Sequence, residues 1–411
     1  MKPVFSSFHS LHSQLFHPLL PLNRRPRWAR MESSPPHHRH PNENKIKLIV
    51  IMGATGTGKS RLSIDLSTTH FPHSQIINSD KMQLYNGLDI TTNKIPLHER
   101  KGVPHFHLGD VHSTDADVPP SKFRSAAGLT IAHIASSGNL PLLVGGSNSF
   151  IHALLGETFD PRVDDVFAAP DSVSRRLRYD CLFLWVDVAW PVLSDYLCER
   201  VDDMLDSGML EELAEFYDAR KEGIRVGLRK AIGVPEFDKY FKKYPPWESD
   251  ENGRVPKRGC DQARRDAYEE AVREIKDNTC RLAKRQIEKI ERLRRAGWEL
   301  KRIEGTATFE AIMKKKEWRG IWEKEVLEPS VKAVNRFLDY HLQSLSGDSH
   351  SSQKRSKASI NRFQSHSIFA GSHTVQKGKS NGREWKQTAE AEVRRLARDE
   401  DGNELETRCT K

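Results

Sequence analysis

The chain has few of the residues that brace small secreted folds or metal modules. Its five cysteines, Cys181, Cys198, Cys260, Cys280 and Cys409, are scattered, with no C-x-x-C pair among them. This argues against a zinc module and a disulfide framework, and for a reducing compartment. No apolar run approaches the roughly 20 residues of a membrane-spanning helix, so no membrane partner is expected. No internal repeat stands out. Acidic residues are absent before Glu32, although Lys2, Arg24, Arg25, Arg27 and Arg30 lie there with several serines and histidines and the short apolar patch Leu15 to Leu22. Acid-poor, Arg- and Ser-containing leaders of this kind serve as organellar transit peptides. Import into plastid or mitochondrion is therefore expected, with an ordinary disordered leader as the competing reading; a start at Met31 would leave a cytosolic form.

At 411 residues the chain can bury a large core and carry one sizeable α/β domain with a smaller one. Its net charge of +9 suits an anionic ligand without choosing among nucleotide, pyrophosphate and nucleic acid. Gly53-Ala54-Thr55-Gly56-Thr57-Gly58-Lys59-Ser60 is more specific. It fits G-x-x-x-x-G-K-[ST], between an apolar strand at 47–52 and an amphipathic helix from Lys59. In such a P-loop the glycines turn backbone N–H groups toward an anion at a helix N-terminus. Lys59 is placed to reach the terminal phosphates, and the Ser60 hydroxyl to hold Mg²⁺. The motif implies a phosphorylated ligand. It leaves open whether phosphate is hydrolysed, transferred or expelled.

Further apolar runs at 75–78, 140–144 and 182–188 read as strands alternating with helices, one of them at 122–136. This predicts an α/β fold: a P-loop NTPase-like parallel sheet flanked by helices, with a smaller helical subdomain. The expected organisation is a transit-like leader and linker at 1–45, the P-loop core at 46–190 and a helical substrate subdomain at 191–260. A long helix and return to the core follow at 261–340, then a low-complexity tail at 341–411. After Asp187 the pattern becomes helical, with apolar residues at helical spacing over 192–219, and Tyr244 to Gly259 reads as a Pro/Gly/charge-rich loop.

A nucleotide hydrolase needs a second acid at the end of a buried strand. The strand at 140–144 ends instead in Gly145-Gly146. Asp187 could fill that role or cap the next helix. Asp80 directly follows a parallel strand, where ligands of open α/β sheets bind, and a carboxylate there can act as a base or a metal ligand.

The segment Asn78-Ser79-Asp80-Lys81-Met82-Gln83-Leu84-Tyr85-Asn86-Gly87-Leu88-Asp89-Ile90-Thr91-Thr92-Asn93-Lys94 resembles the signature of isopentenyltransferases acting on the N6 of adenine. Val144 to Ile151, Gly227 to Gly233 and Thr279 to Gln286 match the same family in order, over roughly residues 45–340. The plant-type adenylate isopentenyltransferases, the cytokinin synthases, are the most similar branch. The resemblance implies an adenylate dimethylallyltransferase of the ADP/ATP-dependent type, acting with Mg²⁺. The P-loop would hold the diphosphate of dimethylallyl diphosphate as a leaving group, with Thr55 near the bridging oxygen. Asp80 would be the general base on the adenine amine. Lys94, Lys230, Lys284 and Arg285 would contact diphosphate or the nucleotide's phosphates.

Free AMP, ADP or ATP is favoured over tRNA as the acceptor. Lys81 follows Asp80 where the tRNA branch usually has Ser or Ala. Gly146-Ser147-Asn148-Ser149-Phe150 differs from that branch's Gly-Thr-Gly-Leu-Tyr type, and the lone Cys409 cannot form the C-terminal zinc finger common in eukaryotic tRNA enzymes. The alternatives are a tRNA dimethylallyltransferase and a P-loop small-molecule kinase.

Overall fold

A computed structural model of the chain describes residues 45–344, apart from 113–115, 164–165, 169–171 and 247–261. The expected leader, most of the loop at 244–259 and the tail beyond 344 lie outside the described residues.

Six parallel strands form one sheet: β1 (Lys47–Met52), β2 (Ser74–Asn78), β3 (His105–Phe106), β4 (Leu140–Gly145), β5 (Asp180–Asp187) and β6 (Leu300–Glu304), in the order β3-β2-β4-β1-β5-β6. The helices are α1 (Lys59–Asp65), α2 (Pro120–Ser136), α3 (Asn148–Leu155), α4 (Trp190–Asp206), α5 (Met209–Phe216), α6 (Val234–Lys243), α7 (Gln262–Arg295), α8 (Thr306–Met313), α9 (Arg319–Trp322) and α10 (Glu328–Ser344). The continuous apolar strands are explained by what covers them. On one face Leu48, Val50 and Met52 join Leu143, Phe183 and residues of α2, α3 and α7; on the other, Ile49 and Ile51 join Leu142, Val186, Leu62 of α1 and Val334 of α10. With both faces buried, neither parity of side chain can be polar.

Two strands were not legible as such. β3 has only two residues, and β6 is an edge strand in which Ile303 alone is buried. The helical pattern over 192–219 is divided between two helices, α4 and α5. Gly208 sits at φ 100°, a left-handed conformation that ends α4 and starts α5, and that glycine adopts without Cβ strain.

Register brings the carboxyl ends of the central strands level: Met52 pairs with Gly145 and Trp185, and Asn78 with Val144. The chain leaves β1 toward β2 on one side and later returns to β5 on the other. The order therefore reverses at β1, and open sheets of this kind bind ligands at such a switch point.

Candidate active site

A cleft of about 720 Å³ opens at this switch point. Thr55, Gly56, Gly58, Lys59 and Ser60 form one wall, Asn78, Asp80 and Gln83 the floor, and Asp89, Asn93 and Lys94 a second wall. Tyr196, Arg200, Asp203 and Met204 line the remaining side from one face of α4, with Ser207 just beyond its end.

The P-loop is held from within. Thr57 is buried, and its hydroxyl donates to Ala54 O at 3.0 Å. Lys59 Nζ donates to the same carbonyl at 2.5 Å. Gly58 adopts φ 85° ahead of α1, and the Trp322 ring lies where its Cβ would be, 2.8 Å away. A side chain there would meet both strain and a clash.

Asp80 is set by its neighbours in sequence. Asn78 is buried at the end of β2; its Oδ1 accepts from Asp80 N–H at 3.1 Å, and its Nδ2 donates to His107 O at 2.8 Å. The Asp80 carboxylate accepts Met82 N–H at 3.0 Å, a local turn bond typical of Asp. Gly145 backs the segment: a Cβ there would lie 2.8 Å from Asp80 N and collide with Ser79. Enclosure at the cleft floor raises the Asp80 pKa above the usual carboxylate value, against the pull of Lys59. The same desolvation lowers Lys59 to about 8, partly countered by Asp80, and lowers Arg200. Lys59, Arg200 and the Asp80 carboxylate, all half-buried, thus meet in one cleft.

Two residues that bond the P-loop were given no role in the sequence. Arg200 Nη2 donates to Thr55 Oγ1 at 3.1 Å. Its signal was present: it stands among the apolar positions Leu197 and Val201 of α4, on a row shared with Tyr196. Gln286 is the second. From the middle of α7 its Oε1 accepts Thr55 N–H at 2.7 Å, and its Nε2 donates to Gly146 O at 3.1 Å. It closes the Thr279 to Gln286 motif, in which attention falls on the charged residues.

Those charged residues lie outside the cleft lining. Lys284 stacks over the Trp190 ring, 4.6 Å from its centroid, and Arg285 is exposed. Lys230 binds Asp117, which also accepts Gly227 N–H and lies 3.6 Å from Lys81 Nζ. Lys230 therefore shares a counter-ion with the residue next to Asp80. Lys94 lines the cleft, but its ammonium is enclosed by Gly87 O at 2.6 Å and Asp89 at 2.8 Å. It braces its own loop. Asp187, the candidate second acid, accepts Arg302 Nε at 2.7 Å and is not among the cleft residues. It neither faces the P-loop cleft nor caps α4.

Comparison with known proteins agrees with this geometry. The family model described as IPP transferase matches residues 83–176 and 166–292. An adenylate isopentenyltransferase of Humulus lupulus is 57% identical over 300 residues, covering 70% of this chain and 89% of that protein. Adenylate isopentenyltransferase 1, chloroplastic, of Arabidopsis thaliana is 52% identical over 315 residues, covering 75% and 84%. Among solved structures, a eukaryotic dimethylallyltransferase acting on tRNA aligns with a TM-score of 0.54 at 24% identity, covering 72% of this chain and 80% of that one. A tRNA isopentenylpyrophosphate transferase of Bacillus halodurans gives 0.52 at 22%, covering 74% and 98%. At these identities the structures show the fold.

Proposed function

The chain belongs to the IPP transferase family, on its adenylate isopentenyltransferase branch, and from that premise we infer the reaction. It transfers the dimethylallyl group of dimethylallyl diphosphate to the N6 of adenine in AMP, ADP or ATP and releases diphosphate. The observation that carries this reading is the meeting of Asp80 with the P-loop, Lys59 and Arg200 in one cleft.

The C–O bond to diphosphate breaks and the N6–C bond forms. The exocyclic amine is a poor nucleophile because its lone pair is delocalised into the ring. Asp80 accepts its hydrogen bond and then its proton as the bond forms. A carboxylate whose pKa is raised by burial is a better base than a solvated one, and Lys59 beside it favours its charged form. Lys59, the P-loop amides and Arg200 oppose charge growing on the departing diphosphate. Arg200 donates to Thr55 Oγ1, so the threonine's own proton is left to donate to the bridging oxygen.

The residues also suit Mg²⁺. Ser60 Oγ is exposed on the cleft wall, with the carboxylates of Asp80, Asp89 and Asp203 lining the same space. Mg²⁺ is commonly held by one or two protein oxygens with waters and substrate phosphates. Ser60 is the proposed protein ligand, and the ion would neutralise diphosphate charge.

Charge distribution favours the free nucleotide. Residues 45–344 carry a net charge of only +1, the remainder of the +9 being divided equally between 1–44 and 345–411. Arabidopsis relatives are named chloroplastic, and one at 38% identity is named mitochondrial. With the acid-poor leader, this supports an organellar address.

One incubation tests the reading: dimethylallyl diphosphate and Mg²⁺ with AMP, ADP, ATP or tRNA, products identified by mass. A prenyl adduct on free nucleotide is expected. Adducts on tRNA alone, or ADP and phosphate without adduct, would replace it with the tRNA enzyme or the kinase.

A further inference from the structure

Gln286 belongs to none of the chemical roles above, yet it is buried and bonded on three sides. Its Oε1 accepts Thr55 N–H at 2.7 Å, its Nε2 donates to Gly146 O at 3.1 Å, and its backbone carbonyl accepts Asn148 Nδ2 at 3.1 Å. Space around it is fully used: a Cβ on Gly146 would lie 2.6 Å from Gln286 Nε2.

The two loops it joins carry opposite halves of the reaction. Thr55 is in the loop assigned to diphosphate. Gly146 continues the β4 turn whose preceding residue, Gly145, packs directly against Ser79 and the Asp80 amide. Ser147, one residue further on, accepts Lys81 N–H on its hydroxyl at 2.9 Å. The Asp80–Lys81 segment is thus mounted on the turn that Gln286 ties to the P-loop. Thr55 is also pinned through its side chain by Arg200. A primary amide is suited to this task, because it accepts from one backbone and donates to another at the same point without adding charge.

We propose that Gln286 is a positioning residue that fixes the distance and orientation between the diphosphate cradle and the general base. It touches neither reacting atom. The proposal rests on the functional reading above, since it presupposes that Thr55 and Asp80 serve the two halves of one transfer. When the two loops move independently, the diphosphate can still depart, but the adenine amine is no longer aligned with the allylic carbon. Water then captures the carbon: its oxygen forms the new C–O bond, its proton passes to solvent, and dimethylallyl alcohol and diphosphate are the products.

The test compares wild type with Gln286→Met, which keeps length and removes both amide bonds, and Gln286→Glu, which keeps the acceptor for Thr55 N–H but loses the donor to Gly146 O. Diphosphate released and prenylated nucleotide formed are measured together, with thermal unfolding in parallel. Wild type should release one diphosphate per adduct. Both variants should lose up to about 100-fold in kcat for transfer, the cost associated with a misplacement near 1 Å. They should release diphosphate in excess of adduct, with alcohol making up the difference, at assay temperatures below their unfolding transitions. Variants that fold and keep one-to-one coupling, even at reduced rate, would overturn the positioning role. So would variants that are merely less stable, with their folded fraction behaving as wild type. A wild-type enzyme that forms no adduct would overturn the functional reading instead.

Discussion

Lys59 and Asp80 show how one cleft sets two opposed titrations. Burial lowers the Lys59 ammonium to about 8 and raises the Asp80 carboxyl. Lys59 loses its proton as pH rises through about 8, and with it a charge that opposes the diphosphate. Asp80 loses its capacity as a base as pH falls, beginning above the ordinary carboxylate range. The pH profile of kcat/KM, which reports the free enzyme, is therefore expected to be bell-shaped, with an alkaline limb near 8 that vanishes in Lys59→Arg. A limb that stays in place in that variant would assign it to another group. Asp80→Asn is expected to lower transfer about 100- to 10,000-fold, the usual worth of a general base. Its affinity for pyrophosphate should be unchanged or higher, because a negative charge beside Lys59 is removed; calorimetric titration measures this. The sign for stability is also fixed. A carboxyl whose folded pKa is raised favours the fold while protonated, and that contribution is lost as pH rises through the folded value. Asp80→Asn should therefore unfold at a higher temperature than wild type at neutral pH, with the difference shrinking under acid.

At the scale of elements, the end of β4 is the tightest joint. Gly145→Ala would press a methyl into Ser79 and within 2.8 Å of Asp80 N, with backbone rather than a flexible side chain on the other side. The expected cost is about 1–3 kcal/mol of stability, as for other overpacked sites. Transfer should fall further than stability does, because the atoms displaced carry the base. Equal activity per folded molecule would show that Asp80 is held by Asn78 and the Met82 turn alone. The same joint shows what a sequence can and cannot reveal. β1, β2, β4 and β5 were visible because both faces of each are buried, and the P-loop because glycines, lysine and serine must fall in fixed order. β6 was not, because an edge strand with one buried residue has no periodic signal; with it went Arg302 and the fate of Asp187. Lys94, Lys230, Lys284 and Arg285 were carried over from the family motifs they match. The structure encloses the first in its own loop, pairs the second with Asp117, lays the third on Trp190 and leaves the fourth exposed. Arg200 and Gln286, by contrast, act through helix faces that only tertiary packing turns toward the P-loop.

Across the whole molecule, the sheet is buried on both faces, and the cleft is built from loops at one end of it. Lys47 illustrates how the frame is closed far from that end. At the start of β1 its ammonium bonds Asp180 of β5 at 3.2 Å and Phe337 O of α10 at 2.9 Å. A ligand that binds only the assembled cleft should stabilise this entire frame by mass action, by about 2.7 kcal/mol at one hundred times its Kd. Pyrophosphate alone is sufficient as a probe, since the P-loop wall needs neither the prenyl chain nor adenine to be engaged. Wild type and Asp80→Asn are expected to gain several degrees in unfolding temperature with pyrophosphate and Mg²⁺, to a similar extent. Lys59→Met, which removes a half-buried cation of the P-loop, should gain much less. A full shift in Lys59→Met would move the diphosphate away from the P-loop. A shift lost in Asp80→Asn would make Asp80 part of the anion's binding site, through the metal, and no longer the base alone. The two variants therefore separate departure of the leaving group from activation of the amine, using a measurement that involves no turnover.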